Sequence, residues 1–438
     1  MWSPMWCETC AASRDCPMPV FALVDCNNFY ASCEKLFRPD LKDTPVVVLS
    51  NDGCVVARSR EAKLLGIKMG VPAFQIKAEM QRHGILAFSS NYALYADLSS
   101  RVMRTLEEMA PRVEVYSIDE AFLDLTGIES AISLVEFGQQ VRERIGHWIG
   151  ITVCVGIAPT KTLAKLANHA AKKYPATQGV VDLTNPDRQR RLLALVPVDD
   201  VWGVGRRLSK RLNALGITTA LDLANASPRA IRDQFSVVLE RTVRELNGES
   251  CIELEEIPPT KKQIVCSRSF GVKVTHFELL REAICEYATR ATEKLRKEQQ
   301  QAKVLTVFIR TSPFKDNEPQ YSNSASGELL IPSCDTRDFI ELANHLLKRI
   351  WKDGFRYAKA GVMLSDFYDP GMFQPGLFDD VSTRSNSQQL MSVLDTINQS
   401  GAGKVFFAGQ GTKKDWSMKR EHLSPAYTTR WDQLPRVK

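Results

Sequence analysis

Two adjacent carboxylates, Asp119 and Glu120, stand in the run VEVYSIDEAFLDLTG (113–127), which is otherwise apolar enough to be buried. An ionised carboxylate in such surroundings is costly unless its charge is compensated. Either these acids lie on a solvated turn, or a cation sits between them. A third acid, Asp25, closes the apolar run FALVD. Neighbouring side chains on a flat strand face opposite sides, so Asp119 and Glu120 share an ion only where a hairpin turn lets them converge. Taking VEVYS and AFLDL as paired strands, with Asp25 on a neighbouring strand, brings three carboxylates to one sheet end. Oxygen donors of this kind suit Mg²⁺ or Mn²⁺. Two such ions about 4 Å apart clamp the attacking and leaving oxygens of a phosphoryl transfer. On these residues alone, a solvated turn with unrelated acids is the simpler reading.

A second chemistry is written in GVGRRLSKRL (203–212). Gly203 and Gly205 have the Gly-x-Gly spacing of a helix–hairpin–helix turn, in which backbone N–H groups approach a phosphate. Arg206, Arg207, Lys210 and Arg211 add positive charge nearby. An ordinary interhelical turn with a solvated charged face fits the same residues. The net charge of +6 permits a polyanionic partner without establishing one. Eleven scattered cysteines, with Cys7 and Cys10 the one close pair, argue for a reducing compartment and a cytoplasmic protein. Cys7, Cys10 and Cys16 have no evident fourth ligand and read as unligated thiols. No apolar run reaches the roughly eighteen residues of a membrane span, so no membrane association is expected. The opening residues MWSPMWCETC lack the order of a secretory signal.

The elements that must position these residues follow from periodicity. FALVDC (21–26), PVVVL (45–49) and ITVCVGI (151–157) read as buried strands. Residues 60–66, 74–82, 131–149 and 160–173 read as helices, as do 97–109 with Asp97 as N-cap. Short helices dominate 188–250, and LEEIPPTKKQ (254–263) reads as a linker. Strand, helix, strand, loop, helix, strand then follow, and the last seventy or so residues read as a loop-rich tail. At 438 residues the chain predicts two to four domains. The order of elements lacks a βαβ repeat, so the fold class is α+β.

Four strings in register carry a family resemblance: DCNNFYASCE (25–34), YSIDEAFLDLTG (116–127), GIAPTKTLAKLANHAAKK (156–173) and DDVWGVGRRLSKRL (199–212). Together they resemble the Y-family translesion DNA polymerases of the UmuC type, including their plasmid-borne relatives. CSRSFG (266–271) and SPAYTTR (424–430) extend the resemblance over nearly the whole chain from about residue 20.

The resemblance implies a right-hand polymerase. Residues 1–17 would be an extension, 18–31 and 92–185 the palm, and 32–91 the fingers. Residues 186–255 would form a helical thumb, 256–263 a linker, 264–370 the little finger and 371–438 a C-terminal tail. It implies Asp25, Asp119, Glu120 and the backbone carbonyl of Cys26 as ligands of two Mg²⁺ ions, with Mn²⁺ a possible substitute. A primer 3′-hydroxyl would then attack the α-phosphate of a dNTP. Tyr30 falls at the steric gate that excludes a ribose 2′-hydroxyl. Lys161 falls at the triphosphate lysine, with Lys165 and Lys172 better described as solvated helix lysines. Arg60 and Lys63 stand where many members carry a Tyr and an Arg, and Cys54, Val56 and Gly70 would roof the nascent base pair. The segment SNDGC (50–54) is one asparagine shorter than the usual UmuC-type SNNDGC.

QPGLF (374–378) resembles a bacterial clamp-binding motif, in which Gln374, Leu377 and Phe378 make the contacts. The resemblance further implies a primed DNA template, a UmuD′-type dimer and RecA as partners in SOS mutagenesis. Another two-metal enzyme, a nuclease or cyclase, is a second reading. A catalytically impaired DNA-binding scaffold, which competes with or recruits other polymerases, is a third.

Overall fold

The computed structural model describes residues 19–257, 259–314, 317–373, 384–400, 403–418 and 420–434. In its first half the strands are β1 (Phe21–Cys26), β2 (Val46–Leu49), β3 (Val55–Arg58) and β4 (Leu86–Ser89), then β5 (Arg112–Val115), β6 (Glu120–Asp124), β7 (Val153–Ala158) and β8 (Val180–Asp182). The second half adds β9 (Gln263–Val274), β10 (Gln301–Thr311), β11 (Ser322–Ser333) and β12 (Tyr357–Tyr368). They form a five-stranded sheet in the order β5-β6-β1-β7-β8, a four-stranded sheet β11-β10-β12-β9 and a three-stranded sheet β3-β2-β4. Sheets and helices alternate without a βαβ repeat, as the α+β expectation required.

The central strand β1 is buried along its whole length, and its side chains alternate between two cores. Ala22, Val24 and Cys26 pack under the helices Tyr92–Glu107 and Leu134–Ile149. Phe21 and Leu23 face the helix Lys161–Lys173 and the helical unit 186–246. Asp25 continues this second set and so points to the lysine-bearing helix. That helix begins at Thr160, whose side chain accepts a hydrogen bond from the Leu163 amide, a cap typically worth about 1 kcal/mol. Its close seat on the sheet depends on Gly156 in β7. A Cβ there would lie 2.2 Å from the Asn168 nitrogen and 2.4 Å from the Ala164 oxygen.

Three expectations need correction. The helix expected over 97–109 runs Tyr92–Glu107, and its cap is Asn91, which accepts from the Leu94 amide. Asp97 lies inside the helix and pairs with Arg101 one turn on. The loop expected after β10 contains β11, whose Ser- and Asn-rich residues gain strand structure by pairing with β10. The tail is more ordered than its composition suggested. The helix Ser387–Gln399 is tied to the four-stranded unit by a two-pronged Arg296–Asp395 ion pair, both contacts 2.7 Å. Further on, Trp416 joins that unit's core, and residues 422–427 return to the first half of the chain. The SNDGC segment forms a closed turn: Ser50 N–H donates to the Cys54 carbonyl at 2.8 Å, and Gly53 takes a positive φ of 78°.

No helix among the described residues is long and apolar enough to cross a membrane.

Candidate active site

The antiparallel register of β1 and β6 sets Asp25 opposite Glu120. Both side chains share the face that carries Leu23 and Phe122, the face covered by the helix Lys161–Lys173. One stripe of that helix, Lys161, Lys165, Asn168 and Lys172, has the i, i+4, i+7, i+11 spacing that lays polar side chains along the sheet. Lys172 Nζ stands 2.5 Å from Asp25 Oδ2, and Lys165 Nζ 2.8 Å from Glu120 Oε2. Asn168 donates to the carbonyls of Leu23 in β1 and Cys154 in β7 and so ties the helix to both strands. Lys165 is also boxed by Tyr116, Phe122 and Trp202, with its ammonium 4.4 Å from the Tyr116 ring centre.

Burial pushes the Asp25 carboxyl up to about 7, against the opposing pull of the Lys172 charge and hydrogen bond, while the facing Glu120 adds to the rise. Burial acts upward on Glu120 as well. There the hydrogen bonds from Lys165 and Asp25 and the charges of both lysines prevail and hold it below the usual range. The two carboxyls therefore titrate as a pair, with burial raising Asp25 and the lysine contacts lowering Glu120.

Asp119 sits in the hairpin turn. Its carbonyl accepts from the Cys26 amide at 2.8 Å, and its carboxylate accepts from the Ser117 hydroxyl at 2.7 Å. The structure thus brings two of the three expected acids face to face and holds the third beside them on Ser117. Among the described residues no three ligand-type side chains form a ready cage. The donor chemistry nonetheless fits a hard divalent cation. The donors are carboxylate oxygens, and two lysines supply the positive charge that the buried pair demands. Cys26 turns its side chain into the opposite core, and burial pushes its thiol up. Only its backbone is available to the acid side of the strand.

The expected role of Lys161 does not match its position. It is 1% exposed, forms an ion pair with buried Glu114 and donates to the Glu253 carbonyl at 2.6 Å. This lysine ties the sheet to the segment before β9, whose Glu255 amide also bonds Glu114. The two lysines read as solvated, Lys165 and Lys172, are the ones at the acids. The shared stripe was visible in the sequence, but it does not tell the three lysines apart; the acid beneath each one does.

Tyr30 lies in the first turn of the helix Phe29–Leu36 just beyond β1, after Asn28 takes a left-handed φ of 50° to turn the chain. Its ring stacks on Tyr95 at 4.4 Å and 16°, and meets Tyr92 edge-on. Burial, then the Tyr92 and Asp119 charges, push its hydroxyl up. Lys63 also lies near the acids. Partial burial and the charges of Arg58 and Lys172 pull it down, while Asp25 acts the other way. Arg60, at the start of the same short helix, is exposed and has no ion pair among the described residues. Residues Cys54 and Val55 run alongside Gly70–Pro72, so the expected roof positions Cys54, Val56 and Gly70 belong to one small surface.

Gly203 adopts a φ of 87°, and Gly205 caps the helix Arg206–Ala214. Both glycines, Arg206, Arg207 and Lys210 are exposed. Gln374, Leu377 and Phe378 lie outside the described residues, as do Cys7, Cys10 and Cys16.

Comparison with known proteins gives a consistent set of similarities. A family model described as the impB/mucB/samB family matches residues 24–169, and that family's C-terminal domain matches 261–377. The IMS family HHH motif matches 186–217, and a domain of unknown function matches 388–437. SamB of Salmonella typhimurium is 60% identical over 96% of this chain and all of its own length. UmuC of Salmonella typhimurium strain LT2 is also 60% identical, again over 96% of this chain and its full length. MucB of Escherichia coli is 51% identical over 95% of this chain and 99% of its own. Among solved structures, a Dbh–Dpo4–Dbh Y-family DNA polymerase chimera aligns with a TM-score of 0.67 at 22% identity. That alignment covers 80% of this chain and 99% of the chimera.

Proposed function

The chain belongs to the impB/mucB/samB family, the UmuC-type Y-family DNA polymerases, and from that premise we propose that it performs error-prone, template-directed DNA synthesis past lesions. It is a DNA-directed DNA polymerase with the right-hand α+β fold. The observation that carries the reading is the Asp25–Glu120 pair at one sheet end, with Lys172 and Lys165 standing on it.

In this reading the five-stranded sheet is the palm, and the three-stranded sheet with its short helices is the fingers. The helical unit 186–255 is the thumb and the four-stranded unit 264–370 the little finger. Asp25, Glu120, the Cys26 carbonyl and Asp119, released from Ser117, would hold two Mg²⁺ ions. When bound, these ions lower the barrier to deprotonating the primer 3′-hydroxyl and offset charge on the triphosphate.

The protein's own residues do the rest. Lys172 exchanges its contact with Asp25 for the incoming triphosphate, acting as a point charge on phosphate. Lys63 adds charge from the fingers side, with Arg60 further out. Tyr30 stands under the sugar and excludes a 2′-hydroxyl by contact. The small roof of Cys54, Val56 and Gly70 presses little on base-pair shape, which favours lesion tolerance over fidelity. Gly203, Gly205, Arg206, Arg207 and Lys210 grip the phosphate backbone without reading sequence. A UmuD′-type dimer, RecA and the sliding clamp assemble with the chain in the cytoplasm during the SOS response.

A gapped lesion template tests the reading, with the chain supplied together with its UmuD′-type partner, RecA and clamp. Metal-dependent, dNTP-dependent primer lengthening is expected. Loss of primer would indicate a nuclease, and no change would favour a scaffold.

A further inference from the structure

The helix Phe29–Leu36, which carries Tyr30, and the helix Tyr92–Glu107 meet through an unusual polar contact. Glu34 is completely buried, and its Oε1 accepts a 2.6 Å hydrogen bond from the Tyr95 hydroxyl. Its other oxygen has no hydrogen-bond partner among the described residues. Burial pushes this carboxyl up, opposed by Tyr95 and by the nearby Ser424 hydroxyl. The Tyr95 ring, itself fully buried, is the surface on which Tyr30 lies flat. Tyr30 is therefore only as well placed as the Tyr95 ring, and that ring only as well placed as the contact between the two helices.

The far end of the chain closes on that contact from both sides. Asn91, the cap of the Tyr95 helix, donates from its amide to the Ser424 hydroxyl and to the carbonyls of Ser424 and Pro425, at 2.9–3.2 Å. The same short segment adds a backbone bond from the Ser89 amide to the His422 carbonyl at 2.8 Å. At the other helix, Tyr427 stacks on Phe37, the residue that ends the Tyr30 helix, at 4.5 Å and 12°. Tyr427 reaches this position with a left-handed φ of 40°, a conformation a tyrosine holds only where its surroundings enforce it. One peptide segment thus hooks the start of one helix and the end of the other, and Glu34 and Tyr95 lie between the two hooks.

We propose that the C-terminal segment, through Ser424 and Tyr427, sets the sugar selectivity of the enzyme by clamping Tyr95 as the platform beneath Tyr30. The ligand feature it governs is the 2′ position of the incoming nucleoside triphosphate. The proposal rests on the reading of Tyr30 as the steric gate. Tyr95, Glu34, Ser424 and Tyr427 are positioning residues that act on substrate only through Tyr30. Rigid support matters here because a displacement of about 1 Å is enough to change a steric contact decisively.

The test measures kcat/KM for a dNTP and for the matching rNTP, with the full chain in its assembled complex. Tyr30→Ala is the reference and is expected to lower the dNTP/rNTP ratio by about 100-fold or more. Tyr95→Leu and the Ser424→Ala, Tyr427→Ala double variant are expected to lower it by about 10-fold, mainly through a lower rNTP KM. Tyr95→Phe keeps the ring but loses the hydrogen bond to Glu34, so its ratio is expected to lie between those of wild type and Tyr95→Leu. A merely structural role would lower efficiency toward both sugars together and leave the ratio untouched. If Tyr30→Ala loses discrimination while the folded tail double variant keeps the wild-type ratio, the proposal is wrong and the gate reading stands. If Tyr30→Ala itself keeps the ratio, the gate reading fails and the proposal fails with it. The tail variant decides the matter even if Tyr95→Leu does not fold, because its substitutions lie outside both helices.

Discussion

Lys161 and Lys172 lie on one stripe of one helix, yet their surroundings give them opposite duties. Lys161 is sealed against Glu114, so its removal strands a buried charge. Lys172 is partly open and rests on a carboxyl that burial has pushed up to about 7. Lys161→Ala is expected to cost about 3–5 kcal/mol of stability, visible as a lowered unfolding midpoint. Lys172→Ala should leave that midpoint near wild type and lower kcat/KM for dNTP by about 100-fold. Equal unfolding losses in the two variants would contradict this division. Strand periodicity and a hairpin turn, which are local properties, allowed the three acids to be brought to one sheet end, but only the family resemblance implied a shared role for them. The lysines were not told apart, because Lys161, Lys165 and Lys172 have the same local sequence character. What separates them is which sheet residue lies beneath each one, a tertiary fact readable only once Asp25 and Glu120 are known to share the helix-covered face.

Among the elements, the helix Lys161–Lys173 can carry this site only because Gly156 lets it approach β7. Gly156→Ala puts a methyl against the Asn168 and Ala164 backbone, so the helix must lift and carry Lys165 and Lys172 off their acids. A drop of about 100-fold in single-nucleotide incorporation is expected, with secondary structure by circular dichroism retained. Unchanged incorporation would show that the lysine stripe need not sit so close.

The helix pair under Tyr30 makes a pH prediction. Glu34 is raised in the folded protein, so the stability it contributes is present below its unfolded pKa and is lost as pH rises through the folded one. The neighbouring Tyr95 and Tyr427 hydroxyls are pushed upward too and stay neutral in this range. Glu34→Gln has no such loss, so its melting temperature relative to wild type should climb as pH rises above the ordinary carboxylate range. A pH-independent difference would count against a raised Glu34. Long periodic helices and buried strands were readable in advance. The start of the Tyr92–Glu107 helix was not, because Asp97 looks like a cap while Asn91, six positions earlier, fulfils that role. The strand β11 was missed because its Ser, Asn and Gly residues are weak strand formers. Pairing with β10, not intrinsic preference, makes them a strand.

On the scale of the whole molecule, the C-terminal segment joins what the linker separates. It is anchored to the four-stranded unit through Arg296–Asp395 and Trp416, and to the first half of the chain through Asn91 and Phe37. Composition alone described it as a tail, since its few apolar residues are spent on distant partners and not on a core of its own. The clamp-type pentapeptide 374–378 precedes this anchored stretch. Leu377→Ala with Phe378→Ala is therefore expected to abolish clamp-dependent processivity while leaving short extensions intact, because tethering changes effective concentration and not chemistry. Loss of short extensions as well would point to misfolding. The central claim is that the facing carboxylates of β1 and β6 form the centre of nucleotide transfer. Single-turnover incorporation on a primed, gapped template tests it most directly, comparing wild type with the isosteric Glu120→Gln in the complete assembly. A loss of at least about 1000-fold, near 4 kcal/mol of barrier, with DNA binding retained, is predicted. Incorporation within about tenfold of wild type would contradict the account.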